Sequence, residues 1–132
     1  MGILAKLNAE QRHSLLSSGR LSDVAAGQFL YFANDRPQFV GLIIEGFLRV
    51  FIAGATSGRE NTIRYVRPGD LLGVVAALSG PSATSVQTLR DSRIWLVDSA
   101  SFKRGAQGSS EIAWLIAEEC AHRVAALVDE IA

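Results

Sequence analysis

Cysteine is nearly missing: Cys120 is the only one in 132 residues. That excludes an internal disulfide and any metal or iron–sulfur site made of cysteines alone. Histidine is almost as scarce, with His13 and His122 both outside the strand-like part of the chain. A metal centre built on strands therefore has no imidazole to draw on. Neither sign of charge prevails, since thirteen Lys and Arg offset thirteen Asp and Glu. The chain as a whole carries no electrostatic footprint for nucleic acid or an anionic membrane. No apolar run approaches the ~20 residues of a membrane span, and Met1 to Leu7 lacks the long apolar core of a secretory signal. No Ser-His-acid set, metal-spaced His pair or complete phosphate loop is visible, so catalysis is not expected. One domain in a reducing cytoplasm fits these absences.

What is present falls into three stretches. Asn8 to Ser18 reads as a short helix, with Asn8 as N-cap, Gln11 as its capping-box partner and Gly19 as a stop. From Leu21 to Val97 the pattern is short and strand-like. Phe29, Tyr31, Phe39, Val40, Leu42 to Ile44, Phe47, Leu48 and Val50 to Ile52 are broken by Asn34-Asp35-Arg36-Pro37, Glu45-Gly46 and Gly54 to Gly58. Glu45-Gly46 between two apolar runs predicts a tight hairpin. Strands so close together predict a mainly β domain with flanking helices, an antiparallel sandwich or jelly roll. After Val97 helices return. Asp98 or Ser99 caps a short one ending near Gly105, and Ser109 or Ser110 caps a longer one over Ile112 to Ile131.

That last helix carries a regular seam. Ala113, Ala117, Cys120, Val124, Leu127 and Ile131 recur alternately by four and three, which predicts a symmetric dimer through this face. Ile112, Leu115, Ile116 and Val128 form a second strip, left for the helix's own domain.

The stretch from Arg67 to Leu89 organises the rest. Pro68-Gly69-Asp70 is a turn, Leu71-Leu72 a short strand, Gly73 a sharp bend, and Val74 to Leu78 one helical turn stopped by Ser79-Gly80-Pro81. Such a unit can offer backbone N–H groups to a ligand, or be a plain loop between strands.

In order, the Gly41-Leu42-Ile43-Ile44-Glu45-Gly46-Phe47-Leu48-Arg49-Val50 run, the Pro68-Gly69-Asp70-Leu71-Leu72-Gly73 run and the long last helix resemble the sensor domain of the Crp/Fnr family of bacterial transcription regulators. The resemblance covers nearly the whole chain. It implies a double-stranded β-helix (jelly roll) of the cyclic-nucleotide-binding type over 1–108, including the N-terminal helix, and a dimerisation helix over 109–132. It also implies a homodimer, with DNA bound only through a helix-turn-helix domain that would follow Ala132 and is absent here; the seam held at Ile131 suggests a helix cut short. Carried onto this chain, the ligand-binding cassette comprises Gly73, Val74, Val75, Ser82, Ala83, Thr84 and Ser85.

Two family residues are missing from that cassette. A Glu soon after the cassette Gly would take the ribose hydroxyl, but Val74 stands there; an Arg at its end would neutralise the cyclic phosphate, but no base occurs from Ala76 to Gln87. A buried phosphate without a counter-charge is disfavoured, and Ser cannot replace bidentate Arg. The expectation is an effector-sensing and dimerisation domain that does not bind cyclic AMP. Ser79, Ser82, Thr84, Ser85, Gln87 and Thr88 suit a neutral or weakly anionic small molecule, with Ala121, His122 and Ala125 of the long helix in reach. Alternatively Leu72, Val74, Leu78 and Trp95 fill the pocket, leaving a ligand-free dimerisation module. Arg49 and Arg64, on strands, could point into the barrel, but strand charges are usually solvated, so the outer face is the expectation for both. A cupin-like metal-binding enzyme shares the architecture but needs histidines on the strands. No cofactor or metal is expected: a cluster needs more thiols, and His122 and Cys120, two residues apart, cannot share a helix face for haem. Cys120 reads as a small buried apolar residue rather than an inter-subunit disulfide.

Overall fold

Local chemistry starts the first helix where the sequence places it. In a computed structural model describing residues 3–54 and 58–131, with side-chain surroundings described through Asp129, α1 spans Ala9–Leu16. The Asn8 side chain accepts from the Gln11 amide at 2.8 Å, and the Gln11 side chain accepts from the Asn8 amide at 2.9 Å. These reciprocal bonds satisfy two otherwise orphaned N–H donors. Asn8→Ala should lower stability by about 1 kcal/mol, read as a drop of about 3–5 °C in the thermal unfolding midpoint.

Eight strands follow among the described residues: β1 (Arg20–Val24), β2 (Phe29–Tyr31), β3 (Phe39–Glu45), β4 (Leu48–Ala53), β5 (Glu60–Val66), β6 (Leu71–Leu72), β7 (Ser85–Thr88) and β8 (Ser92–Asp98). They form two four-stranded sheets, β1-β8-β3-β6 and β2-β7-β4-β5. All pairings are antiparallel. The expected jelly-roll-like sandwich is therefore the fold. The hairpin expected at Glu45-Gly46 is corrected, because β3 pairs with β8 and β6 whereas β4 pairs with β5 and β7. The turn crosses from one sheet to the other. Gly46 has φ +120°, and a Cβ there would sit 2.5 Å from the Ser92 Cβ and 2.8 Å from its Cα. Of the Gly54 to Gly58 break, residues 55–57 lie outside the described residues.

Two apolar layers hold these parts together. Between the sheets lie Ile43, Leu48, Val50, Val66, Leu72, Val86 and Ile94, with Tyr31 beside them. On the helix side lie Leu15, Val40, Leu71, Val74, Val97, Phe102, Ile112 and Ile116. Neighbours Leu71 and Leu72 enter different layers, as the two-residue alternation of a strand requires. Three more helices close the helix side: α2 (Val74–Ser79), α3 (Ser99–Gln107) and α4 (Ser110–Ile131). Asp98 accepts from the Ser101 amide at 3.1 Å to cap α3, and Ser109 Oγ accepts from the Ile112 amide at 3.3 Å to cap α4.

Candidate functional site

The alternation of β5 puts a charge where strands usually put a hydrocarbon. Val66 is buried, Tyr65 faces out, and Arg64 turns back toward the interior. Arg64 lies opposite Val50, itself a member of the inter-sheet core. The irregularity between Val50 and Phe51 leaves Ile63, the residue before Arg64, as the extra one in β5, so it does not disturb the register from Arg64 to Val66. The outer-face expectation for Arg64 is thereby corrected. Arg49 keeps its outer position, over the Phe51 ring at 4.0 Å and paired with Glu60 at 3.1 Å.

Arg64 Nη2 donates to the Leu71 carbonyl at 2.9 Å. Arg123 Nη2, from α4, donates to the same oxygen at 3.4 Å. Two guanidinium groups from distant parts of the chain thus share one neutral acceptor at the mouth of the cassette. Among the described residues Arg64 has no carboxylate within ion-pair distance. Burial, and then the neighbouring Arg123 charge, lower its pKa from the ordinary arginine range to about 10, against the weaker pull of Asp70, Tyr31 and Glu119. Arg123 Nε stands 3.4 Å from Glu119 Oε1, an ion pair one helical turn long. It is not aimed for a hydrogen bond, and this buried Nε has no hydrogen-bond partner.

Tyr31 completes the group. Its phenol lies against the Ser82 and Thr84 hydroxyls and feels both Arg64 and Arg123; burial outweighs them and raises its pKa. Ser82 Oγ also donates to the Thr84 carbonyl at 2.8 Å, which fixes the turn before β7.

The structure brings Ser82 and Thr84 together with Tyr31, Arg64 and Arg123, but disperses the other cassette residues. Gly73, at φ +86°, caps α2, and a Cβ there would meet the Phe39 carbonyl at 3.0 Å. Val74 is buried in the helix-side layer, and Val75 and Ala83 face solvent. Ser85 is buried, its Oγ accepting from the Ala33 amide at 2.9 Å. Of the residues expected to fill the pocket, only Leu72 lies between the sheets. Leu78 is exposed, and Trp95 packs in the helix-side layer, donating to the Leu16 carbonyl at 2.8 Å. Tyr31 and Arg64 occupy the interior instead. A cleft of about 10 Å³, room for one water, lies between Leu71, Val74, Ile116, Cys120 and Arg123.

Along α4, Ile112 and Ile116 are buried against the domain. Cys120 leans on the same layer, half-buried, so it sits at the domain side of its helix rather than at the centre of an outward seam. Ala113, Ala117, Val124 and Leu127 face out, and Ile131's side chain lies outside the described residues. Trp114, absent from the expected seam, is 67% exposed, with Val124 at 60% and Val128 at 53%. Among the described residues no three His, Cys, Asp or Glu come together as a metal site, and no helix is long and apolar enough to cross a membrane.

Known proteins share this fold. A family model described as the cyclic nucleotide-binding domain matches residues 21–108. Patatin-like phospholipase domain-containing protein 6 of Mus musculus is 39% identical over 72 residues, which make up 54% of this chain and 5% of that protein. The Thermus thermophilus catabolite activator protein superposes with a TM-score of 0.84 at 21% identity, over 98% of this chain and 61% of its own. The N-terminal domain of a transcriptional regulator from Streptomyces coelicolor A3(2) gives 0.72 at 22% identity, over 92% of this chain and 87% of its own. The sensor domain of the regulator DNR from Pseudomonas aeruginosa gives 0.76 at 15% identity, over 97% and 86%. At these identities the structural likeness establishes the fold.

Proposed function

On the premise that the chain belongs to the cyclic nucleotide-binding domain family, with residues 21–108 matched, we propose that it is the effector-sensing and dimerising part of a Crp/Fnr-type transcription regulator, tuned to a ligand other than cyclic AMP. The observation that carries this reading is the contact between Arg123 of α4 and the Leu71 carbonyl. It links the helix that would dimerise to the strand that opens the cassette, so a ligand that moves one moves the other. The likeness to sensor domains of regulators supports the same reading. DNA would be read by a domain beyond α4, and the change in α4 would reset the spacing of two such domains. Val74 and the uncharged Ser82 to Ser85 turn argue against cyclic AMP, since neither supplies the expected carboxylate or guanidinium.

Dimerisation has its own support. Trp114, Ala117, Ala121, Val124 and Val128 are exposed and spaced by three and four, an apolar stripe of heptad form on the face away from the domain. This moves the expected seam by about one position and leaves Cys120 outside it. Sedimentation velocity tests it: the wild-type chain should run as a dimer at micromolar concentration, and Val124→Glu should run as a folded monomer. A wild-type monomer at all concentrations would remove dimerisation from the proposal. The narrowness of the cleft between α4 and the Leu71 to Val74 segment favours a second reading, a ligand-free dimerisation module. A ligand that raises the unfolding midpoint in a concentration-dependent manner would decide for the sensor.

A further inference from the structure

We propose that Arg64 and Arg123 together form an oxyanion-binding pair, and that the effector is a small organic anion, carboxylate or phosphate, seated between them and the Tyr31, Ser82 and Thr84 hydroxyls. This deepens the effector-sensing reading and rests on it. The cassette turn contains no base, so the cation a charged ligand needs would come from β5 and α4 instead.

Both guanidinium groups point at one carbonyl oxygen. Each carries five N–H donors in a planar fork suited to two oxygens of an anion. A single neutral carbonyl uses one donor of each. Like charges held this close in a partly desolvated place repel, and an anion between them turns the repulsion into two attractions. Asp70 and Glu119 are the carboxylates nearby, but Asp70 accepts from the Arg67 amide at 2.9 Å, and Glu119 pairs at 3.4 Å with Arg123 alone, through its Nε and not its terminal nitrogens. Neither is within ion-pair distance of Arg64. Tyr31, Ser82 and Thr84 add neutral hydroxyls on the cassette side. Leu71 and Arg123 border a cleft of about 10 Å³ on the α4 side, too small for such an anion, so binding requires the two side chains to swing off the Leu71 carbonyl. Release of that carbonyl by Arg123 frees α4 from the cassette mouth, which couples occupancy to helix position.

Thermal unfolding of the 132-residue chain tests the pair with inorganic phosphate, the smallest probe with suitable oxygens, against chloride at equal ionic strength. Wild type, Arg64→Met and Arg123→Met are compared, with adenosine as a neutral probe. Phosphate should raise the wild-type midpoint saturably, and either substitution should remove most of that rise. An equal rise in all three proteins would reflect general salt exclusion and overturn the assignment, as would no rise in wild type. If a Met variant does not fold, Arg64→Lys and Arg123→Lys keep the charge without the fork. They should need several-fold more phosphate for the same rise, and an unchanged requirement would overturn the pair. A midpoint raised by adenosine and not by phosphate would remove the anion pair and leave the sensor reading standing. A phosphate response lost in both variants of a protein that never dimerises would keep the pair and remove the dimeric-regulator reading.

Discussion

Phe102→Ala is expected to cost about 3–5 kcal/mol, about a fifth or more of the ~5–15 kcal/mol that holds a domain of this size. Phe102 is 0% exposed and heads the fully buried side chains by volume. It sits in the layer that joins α1, α3 and α4 to the outer face of β3 and β8, among Leu15, Val40, Val97, Ile112 and Ile116. Removing the ring loses its transfer free energy and leaves a cavity that three helices must close around. Urea unfolding should show a lower midpoint with an unchanged slope. A loss under 1 kcal/mol would mean that this layer can collapse, and that α4 is not held to the sandwich through it. Because α4 carries Arg123 and the apolar stripe, the same variant should weaken any response of dimerisation to ligand.

Gly46→Val is the second large effect. The position combines φ +120° with a Cβ that would meet the Ser92 side chain and lie 2.8 Å from its Cα. Backbone strain of this kind costs about 1–3 kcal/mol, and forcing atoms into filled space adds about 1–3 kcal/mol. Ser92 cannot step aside, because it starts β8, the strand between β1 and β3. Its Oγ donates to the Arg90 carbonyl at 2.9 Å, which pins the preceding turn as well. Expression in inclusion bodies, or a midpoint lowered by 10 °C or more for about 3 kcal/mol, is the expected result. A midpoint within 2 °C of wild type would show that the crossing between sheets tolerates a side chain. Gly27→Ala makes a useful contrast: Gly27 shares a positive φ, +81°, but a Cβ there meets nothing within 4 Å. Only the strain should remain.

Much of the fold is legible because its signals are local. Asn8 with Gln11, Asp98, Ser109 and the Gly73 bend each act within a few residues, and each occurs in the structure as the sequence implies. Alternation of apolar residues marks the strands. Sheet membership is not local, and here Glu45-Gly46 misleads: a two-residue break between apolar runs fits a hairpin and an inter-sheet corner equally well. Arg64 is misplaced for a related reason. Propensity puts a strand charge in water, yet counting by two from Val66 puts Arg64 inside, and Val50 opposite it agrees. The period was the better guide than the residue type. Cys120 and Trp114 differ by less than two helical turns, and which of them faces the domain depends on the helix's rotation about its axis. A mixed apolar pattern with two strips leaves that rotation open.

From the order of its residues alone this chain had a mainly β sandwich, the turn-strand-bend-helix unit from Arg67 to Ser79, a long final helix, and a cassette without the usual acid and base. Those features depend on neighbours in sequence. Tertiary structure alone decided that Arg64 and Arg123, 59 positions apart, meet at the Leu71 carbonyl beside Tyr31, Ser82 and Thr84. It also decided which stripe of α4 stays bare. The reason is physical: side chains from β2, β5, α4 and the cassette share a site only after two sheets have closed on one another and α4 has docked through Ile112 and Ile116. No interaction between near neighbours encodes where those surfaces come to rest.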